Sequence, residues 1–133
     1  MKLKIFLNRY GTSKTTNFDL KKIGAEMGLN IKVIMRDEAI IKKYVIMNLQ
    51  TTKEAGSHWV CIYNYKNYFD PYGVIPPKEV YKYMNDEFIY NTIQVQPDNS
   101  AMCGQLCVFC LYKLSKGYRF EDVVLMMQDF FTE

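Results

Sequence analysis

The chain alternates hydrophobic and polar positions with two periods, one typical of strands and the other typical of helices. Leu3, Ile5 and Leu7 alternate near the start and predict a short first strand. The clearest strand is predicted at 58–65, where successive side chains point to opposite faces. Further extended segments are predicted at 31–35, 44–49, 68–70 and 90–95, with a tight turn at 66–67.

Helical spacing of apolar residues predicts the remaining regular structure. Asn17 is placed to cap a helix that Gly28 ends. One or two helical turns are predicted at 37–43, and a short helix with proline in its first turn at 78–85. The longest helix is predicted at 100–116, a last amphipathic helix at 120–131, and loops at 11–16 and 51–57. Helices at both ends of a small mixed sheet predict one α+β domain over residues 1–133.

Composition narrows the class of protein. The chain has 133 residues, 49% of them hydrophobic, and no apolar run of the roughly 18 residues that a membrane span needs. Its start lacks the apolar length and cleavage site of a signal peptide, so we expect a protein that is not secreted and lies in a reducing compartment. There the four cysteines are expected to be free thiols or metal ligands and not a disulfide framework. The net charge of +3 comes from scattered lysines, which permits nucleic-acid binding but supports it only weakly.

A histidine, a carboxylate and a cysteine follow one another in the order of a thiol protease. His58 is the only histidine, and Asp70 ends a predicted strand. Cys103 falls in the first turn of the longest predicted helix, with Asn99 or Ser100 as the N-cap. A nucleophilic cysteine needs a base, and the base needs an acceptor that holds its ring. A helix start and a nearby histidine also lower the pKa of a thiol from about 8.5 to roughly 3.5–7.5.

Neighbouring residues suit auxiliary roles. Gln96, seven positions before the cysteine, is a candidate donor to the oxyanion of the reaction. Gly104 would let the helix start lie close to a substrate, and the bulky Trp59 would narrow the channel to the cysteine. Cys107 and Cys110 lie along the inward stripe of the predicted helix and are expected to behave as small hydrophobic residues.

The spacing of the cysteines suggests two kinds of metal site. Cys103, Cys107 and Cys110 have the spacing of a radical S-adenosylmethionine cluster motif, but here they fall inside a helical pattern instead of a loop. Zinc could take His58 and Cys61 with two helix cysteines, but His58 and Cys61 are three apart on a strand and point to opposite faces. The sequence therefore predicts no metal site and no required cofactor.

The candidate residues lie in three short motifs that are specific as a set. These are His58-Trp59, Phe69-Asp70-Pro71-Tyr72-Gly73, and the run from Gln96 to Cys103-Gly104. Together they resemble the adenain family of adenovirus maturation proteases, and most closely its virophage and Maverick/Polinton type. The similarity covers most of the chain, from about Phe18 to Phe131.

The resemblance implies roles for these residues. His58 would be the general base, Asp70 its orienting acid and Cys103 the nucleophile at the N-terminus of a central helix. Gln96 would donate to the oxyanion together with the backbone amide of Cys103. The same thiol-protease clan includes the SUMO proteases, and the order of the residues favours this clan over the papain-like one, in which the cysteine comes first.

The resemblance also implies a biological setting. The substrates would be viral capsid or core precursor polypeptides, cut at glycine-containing sites in the virion or in the virus factory of the host cell. A peptide or DNA would be the activator. Three features depart from adenovirus adenain: the acid is Asp instead of Glu, the chain stops 30 residues after Cys103, and no cysteine between Asp70 and Cys103 could tether an activating peptide.

Two rival functions remain open at this point. The first keeps the chemistry and changes the substrate, giving a ubiquitin-like or SUMO deconjugating protease; deconjugases cradle a whole folded modifier and usually need a longer chain. The second is a catalytically inactive, capsid-associated binding module on the same fold. Retention of all four site residue types argues against inactivity.

Overall fold

A computed structural model describes residues 1–50 and 58–132. Within these residues the chain forms five helices around a single five-stranded sheet, which confirms the predicted α+β class. The helices are α1 (Leu3–Tyr10), α2 (Asn17–Glu26), α3 (Lys78–Tyr81), α4 (Cys103–Ser115) and α5 (Phe120–Thr132). The strands are β1 (Lys32–Met35), β2 (Tyr44–Asn48), β3 (Trp59–Tyr63), β4 (Asn67–Phe69) and β5 (Ile89–Tyr90).

The sheet is mixed, and its spatial order β1-β2-β3-β4-β5 follows the chain. β2, β3 and β4 form an antiparallel meander, while β1 and β5 pair in parallel at the two edges. β3 lies at the centre, with Cys61 opposite Ile46 on one side and Phe69 on the other. The antiparallel pairing brings the start of β3 and the end of β4 to the same end of the sheet.

The two faces of β3 separate two apolar cores, as its alternating pattern predicts. Cys61 faces the larger core, which contains α4 and the buried sides of α1, α2 and α5. Val60 and Ile62 face the smaller core on the other side of the sheet, together with Val80 of α3. Most of α4 is buried on all sides, so its first residue is held firmly against the sheet.

Two predicted elements are wrong. Residues 3–7 form the start of α1 instead of a strand: Leu3, Phe6 and Leu7 are buried at helical spacing, and Ile5 is 51% exposed. The segment 37–43 contains no helix. After β1 the chain turns instead, with the Glu38 carboxylate accepting a hydrogen bond from the Met35 amide at 2.8 Å.

Several boundaries also differ from the prediction. Thr16, not Asn17, caps α2, because its hydroxyl accepts from the Asp19 amide while the Asp19 carboxylate accepts from the Thr16 amide. The turn predicted at 66–67 spans 64–66 instead, so the prediction holds at Lys66 alone, and Asn64 and Tyr65 have φ values of 51° and 60°.

The remaining differences concern shorter elements and one segment. The helix predicted at 78–85 and the strand predicted at 90–95 are reduced to α3 and β5. α4 begins at Cys103 with Met102 at the N-cap position and no side-chain cap, so neither Asn99 nor Ser100 caps it. The loop predicted at 51–57 lies outside the described residues. Across the described ranges, no helix combines the length and apolarity needed to cross a bilayer.

Candidate active site

Three elements converge at one end of the sheet. His58 immediately precedes β3, Asp70 immediately follows β4, and Cys103 is the first residue of α4. β3 and β4 are antiparallel neighbours, so His58 and Asp70 are brought side by side although they are 12 residues apart. α4 packs across β3, and this places Cys103 beside His58. The fold thus brings together the three residues that the sequence motifs single out.

The Asp70 carboxylate holds the His58 ring. His58 Nε2 lies 2.8 Å from Asp70 Oδ1, and the Tyr72 amide donates to the same oxygen at 2.8 Å. Asp70 is only 1% exposed, so water competes little for this carboxylate. Because Asp70 engages Nε2, Nδ1 is the ring nitrogen available to Cys103.

Asn91 fixes the backbone of Asp70. Its side-chain oxygen accepts from the Asp70 amide at 2.9 Å, and its Nδ2 donates to the Asp70 carbonyl at 2.7 Å and to the Ile93 carbonyl at 3.0 Å. Asn91 is 6% exposed, and two of these hydrogen bonds tie the acid to the segment after β5, while the third stays within that segment. The sequence does not single out this residue, because Asn91 is one of three polar residues in the predicted strand at 90–95, together with Thr92 and Gln94.

The turn after Asp70 depends on Gly73. Its φ of +71° is a conformation that other residues rarely adopt, and a Cβ there would lie 2.8 Å from the Ile93 carbonyl carbon. The close approach lets Pro71 O accept hydrogen bonds from the amides of Val95 and Gln96 at 2.9 and 3.0 Å. The acid and the segment that carries Gln96 therefore form one connected unit.

The electrostatics of the pair favour a thiolate and an imidazolium. Burial lowers the pKa of His58, but hydrogen bonds and charges of Asp70 and Cys103 outweigh it and raise that pKa to about 9. Burial raises the pKa of the Cys103 thiol, but the hydrogen bond and charge of His58 oppose it. Hydrogen bonds from the backbones of Trp59 and Gly104 add to this effect, and the net pKa of Cys103 lies below that of an ordinary thiol.

Cys103 opens into a small cleft of about 190 Å³, here called the thiol cleft. The thiol cleft is lined by Lys14, Thr15, His58, Trp59, Tyr72, Ser100, Ala101 and Cys103. The Tyr72 ring packs against the His58 ring with centroids 4.8 Å apart, and the half-buried Trp59 forms part of the wall. Cys103 is 7% exposed, so a substrate can reach the sulfur only through this cleft.

Gln96 lies near the site but is engaged elsewhere in this structure. It is 1% exposed, and its Nε2 donates to the Ser100 carbonyl at 3.0 Å and to Tyr72 Oη at 3.3 Å. Its Oε1 has no hydrogen-bond partner among the described residues. Gln96 therefore braces the segment that leads into α4, and it would have to release one of these bonds to donate to an oxyanion.

Gly104 serves close packing. It is buried, and a Cβ there would lie 2.2 Å from Thr15 Oγ1, 2.8 Å from Leu20 Cδ2 and 3.3 Å from Trp59 Cδ1. The glycine thus lets the start of α4 approach α2 and β3, and it does not line the thiol cleft. This differs from the expected substrate contact, since the free side of Gly104 is filled by the protein itself.

The other three cysteines form a contrast to Cys103. All four cysteines are free, as expected, and Cys61, Cys107 and Cys110 are almost completely buried together in the larger core. Burial raises the pKa of Cys107 to about 11 and those of Cys61 and Cys110 well above their ordinary value. They behave as small hydrophobic residues, as predicted. Within 1–50 and 58–132, no cluster of three or more His, Cys, Asp or Glu side chains is arranged to hold a metal ion.

No family model matches the chain. No curated protein matches it either.

Proposed function

We propose that this chain is a cysteine endopeptidase with Cys103 as nucleophile, His58 as general base and acid, and Asp70 as the group that orients His58. The observation that carries the proposal is the 2.8 Å hydrogen bond between Asp70 and His58, with Cys103 beside His58 at a helix start in the same cleft. Burial raises the pKa values of the three core cysteines and so keeps their thiols protonated. Cys103 is therefore the thiol suited to attack a peptide bond.

The chemistry follows from the charge state of the pair. The Cys103 thiolate attacks the carbonyl carbon of the scissile peptide bond, and the carbonyl π electrons move to oxygen. The tetrahedral intermediate collapses as the imidazolium of His58 gives its proton to the leaving amine, and a thioester remains on Cys103. His58, now neutral, takes a proton from water, whose oxygen attacks the thioester and releases the acid product. Asp70 stabilises the imidazolium each time it forms.

The negative oxygen of the intermediate needs donors. The first residues of α4 have amides without partners inside the helix, and the positive end of the helix dipole adds to them. Gln96 would supply a further donor after its amide turns away from Ser100 and Tyr72. Its unpartnered Oε1 means that such a turn breaks no hydrogen bond of that oxygen.

The motifs that contain these residues support an adenain-like role. In that role the enzyme would mature viral capsid or core precursors, at sites containing glycine, in the virion or the virus factory. A peptide or DNA would act as activator. The small volume of the thiol cleft is compatible with glycine on either side of the scissile bond.

The test is cleavage of a peptide library derived from whole proteomes, with mass spectrometry of the new termini. We expect the wild-type protein to generate termini that share a glycine-containing motif, and Cys103→Ala to generate none. The same assay with capsid precursors encoded beside the chain identifies the physiological substrate. Cleavage of a SUMO fusion at its junction would instead identify a deconjugase, and an intact library in all conditions would favour the inactive binding module.

A further inference from the structure

A second cavity of about 430 Å³ adjoins the thiol cleft on the side of α1 and α2. Lys14 and Thr15 line both cavities, so the cavities meet at the segment that links α1 and α2. The Thr15 carbonyl accepts a bond from Trp59 Nε1 at 3.4 Å, and the Ser13 carbonyl accepts one from Gln105 Nε2 at 2.7 Å. This segment is therefore fixed to α4 and to the wall of the thiol cleft. We call the second cavity the basic pocket.

The basic pocket carries three cations: Arg9, Lys14 and Lys22. None of them forms an ion pair with another described residue. Two carboxylates also line the pocket, but both have protein partners: Asp19 belongs to the capping box of α2, and Glu26 accepts a hydrogen bond from Tyr10. The cations are thus the groups left for a ligand.

Two buried oxygens in the same wall have no partner. Thr15 is 8% exposed and Gln105 is 1% exposed, yet Thr15 Oγ1 and Gln105 Oε1 lack hydrogen-bond partners among the described residues. The side-chain amide of Gln105 is oriented by the hydrogen bond that its Nε2 donates to the Ser13 carbonyl, and this orientation leaves Oε1 without a donor. Buried polar atoms are nearly always paired, and unpaired ones cost stability. Both oxygens are closed off from the cavity by the surrounding protein, so a ligand in the basic pocket would contact the three cations instead.

We propose that the basic pocket is a substrate subsite: the peptide runs from Cys103 past Thr15 and places an acidic side chain among Arg9, Lys14 and Lys22. The subsite deepens the proposed protease function and rests on it. It adds a charged residue to a specificity that the narrow thiol cleft alone would limit to small residues.

The test measures kcat/KM for peptides that differ in one charge. A peptide that the wild-type protein cuts is synthesised with Glu, Gln or Lys at each position near the scissile bond. At one position we expect Glu to be preferred over Gln by about 5- to 10-fold, as exposed charge pairs with these cations would give, and Lys to be cut more slowly than Gln. Added salt should reduce the preference.

Variants of the basic pocket test whether its cations cause the preference for Glu over Gln. Arg9→Gln and Lys22→Gln should each lower the ratio of Glu to Gln cleavage, whereas Lys42→Gln, an exposed lysine outside both cavities, should keep it.

Two results would overturn the proposal: one would remove only the subsite, and the other would remove the protease function as well. Equal cleavage of the Glu and Gln peptides at every position removes the basic pocket as a subsite and leaves the protease standing. Failure of the wild-type protein to cut any peptide removes the proposed function and the subsite with it.

Discussion

At the scale of single residues, the sequence predicts the reacting groups better than their supports. His58, Asp70 and Cys103 are recognisable because each lies in a short motif, and the fold brings them together. Asn91 holds the backbone of Asp70, and the Tyr72 ring covers the imidazole of His58. The sequence predicts neither role. Their roles depend on contacts over 21 residues and on ring packing, and neither has a local sequence signal.

Asp70→Asn tests the orienting acid. The amide oxygen can still accept from Tyr72, so we expect the fold to persist, but the neutral side chain no longer stabilises the imidazolium of His58. Activity should fall by roughly 10³- to 10⁴-fold, and the alkaline limit of activity should move below the value near 9 set by the wild-type pKa of His58. A pH profile of kcat/KM measures both effects. Wild-type activity in the variant would mean that another group orients the histidine.

Gln96→Ala tests the oxyanion donor. We expect kcat to fall by roughly 10²–10³ with little change in KM, because the donor acts on charge that develops in the transition state. Tyr72→Phe is the matched control, since it removes the hydroxyl that holds Gln96 and keeps the ring against His58. The control should retain most of kcat.

Loss of binding with kcat intact would instead make Gln96 a substrate contact. Gln94 would then be the next candidate. Its Nε2 is held by the Gln96 carbonyl at 2.9 Å and by Asp98 Oδ1 at 2.8 Å, so it too would have to exchange a hydrogen bond.

At the scale of elements, the sequence predicts buried helices and the central strand well and short peripheral elements poorly. α4, α5 and β3 bury a full stripe or face, and that periodicity is visible in the sequence. The strand predicted at 3–7 fails because alternate apolar residues also fit a helix when Phe6 completes the stripe. The helix predicted at 37–43 fails because local hydrogen bonding at Glu38 ends β1 in a turn.

Gly104→Ala tests how closely α4 must approach its neighbours. The new Cβ would meet Thr15 Oγ1 and Leu20 Cδ2 below contact distance, so we expect a loss of about 1–3 kcal/mol in the free energy of unfolding. Cleavage should also fall, because Cys103 moves with the start of the helix.

Gly24→Ala in α2 is the matched control. Its Cβ would press mainly on the flexible end of Ile31, which can move aside, and alanine improves helix propensity. Denaturant unfolding should therefore find this variant close to wild type. Equal stability of both variants would contradict the packing role of Gly104.

At the scale of the whole molecule, the convergence of β3, β4 and α4 produces one narrow approach to the thiol. The wall of this approach includes the Trp59 indole, which is held by its bond to Thr15. The arrangement depends on residues from both halves of the chain, and sequence patterns predict which segments are regular but not the width of the space between them.

Trp59→Ala tests that width as a determinant of specificity. In the wild type, a side chain larger than glycine next to the scissile bond should displace the ring, at a cost of about 1–3 kcal/mol or roughly 5- to 150-fold in rate. The variant should relax the preference for glycine, although it also loosens the neighbour of His58. Cleavage profiles of both proteins on one peptide library measure the change. Tolerance of Leu or Phe on both sides of the bond by the wild type would contradict the narrow approach.

The central claim is that the fold activates Cys103 through His58 before any substrate binds. The low pKa of Cys103 and the raised pKa of His58, about 9, predict a thiolate–imidazolium pair over the intervening pH range. As pH falls through the pKa of Cys103, alkylation and cleavage should both decline. As pH rises through about 9, His58 loses its proton, so cleavage should fall while the thiolate still reacts with alkylating reagents.

The rate of iodoacetamide alkylation at each cysteine, followed against pH by mass spectrometry in wild type and His58→Ala, tests this claim most directly. We predict that Cys103 is alkylated first at neutral pH, and that its midpoint moves to higher pH in His58→Ala because the thiolate loses its partner. Alkylation of Cys61 or Cys110 ahead of Cys103, or a midpoint that His58→Ala leaves unchanged, would contradict the account.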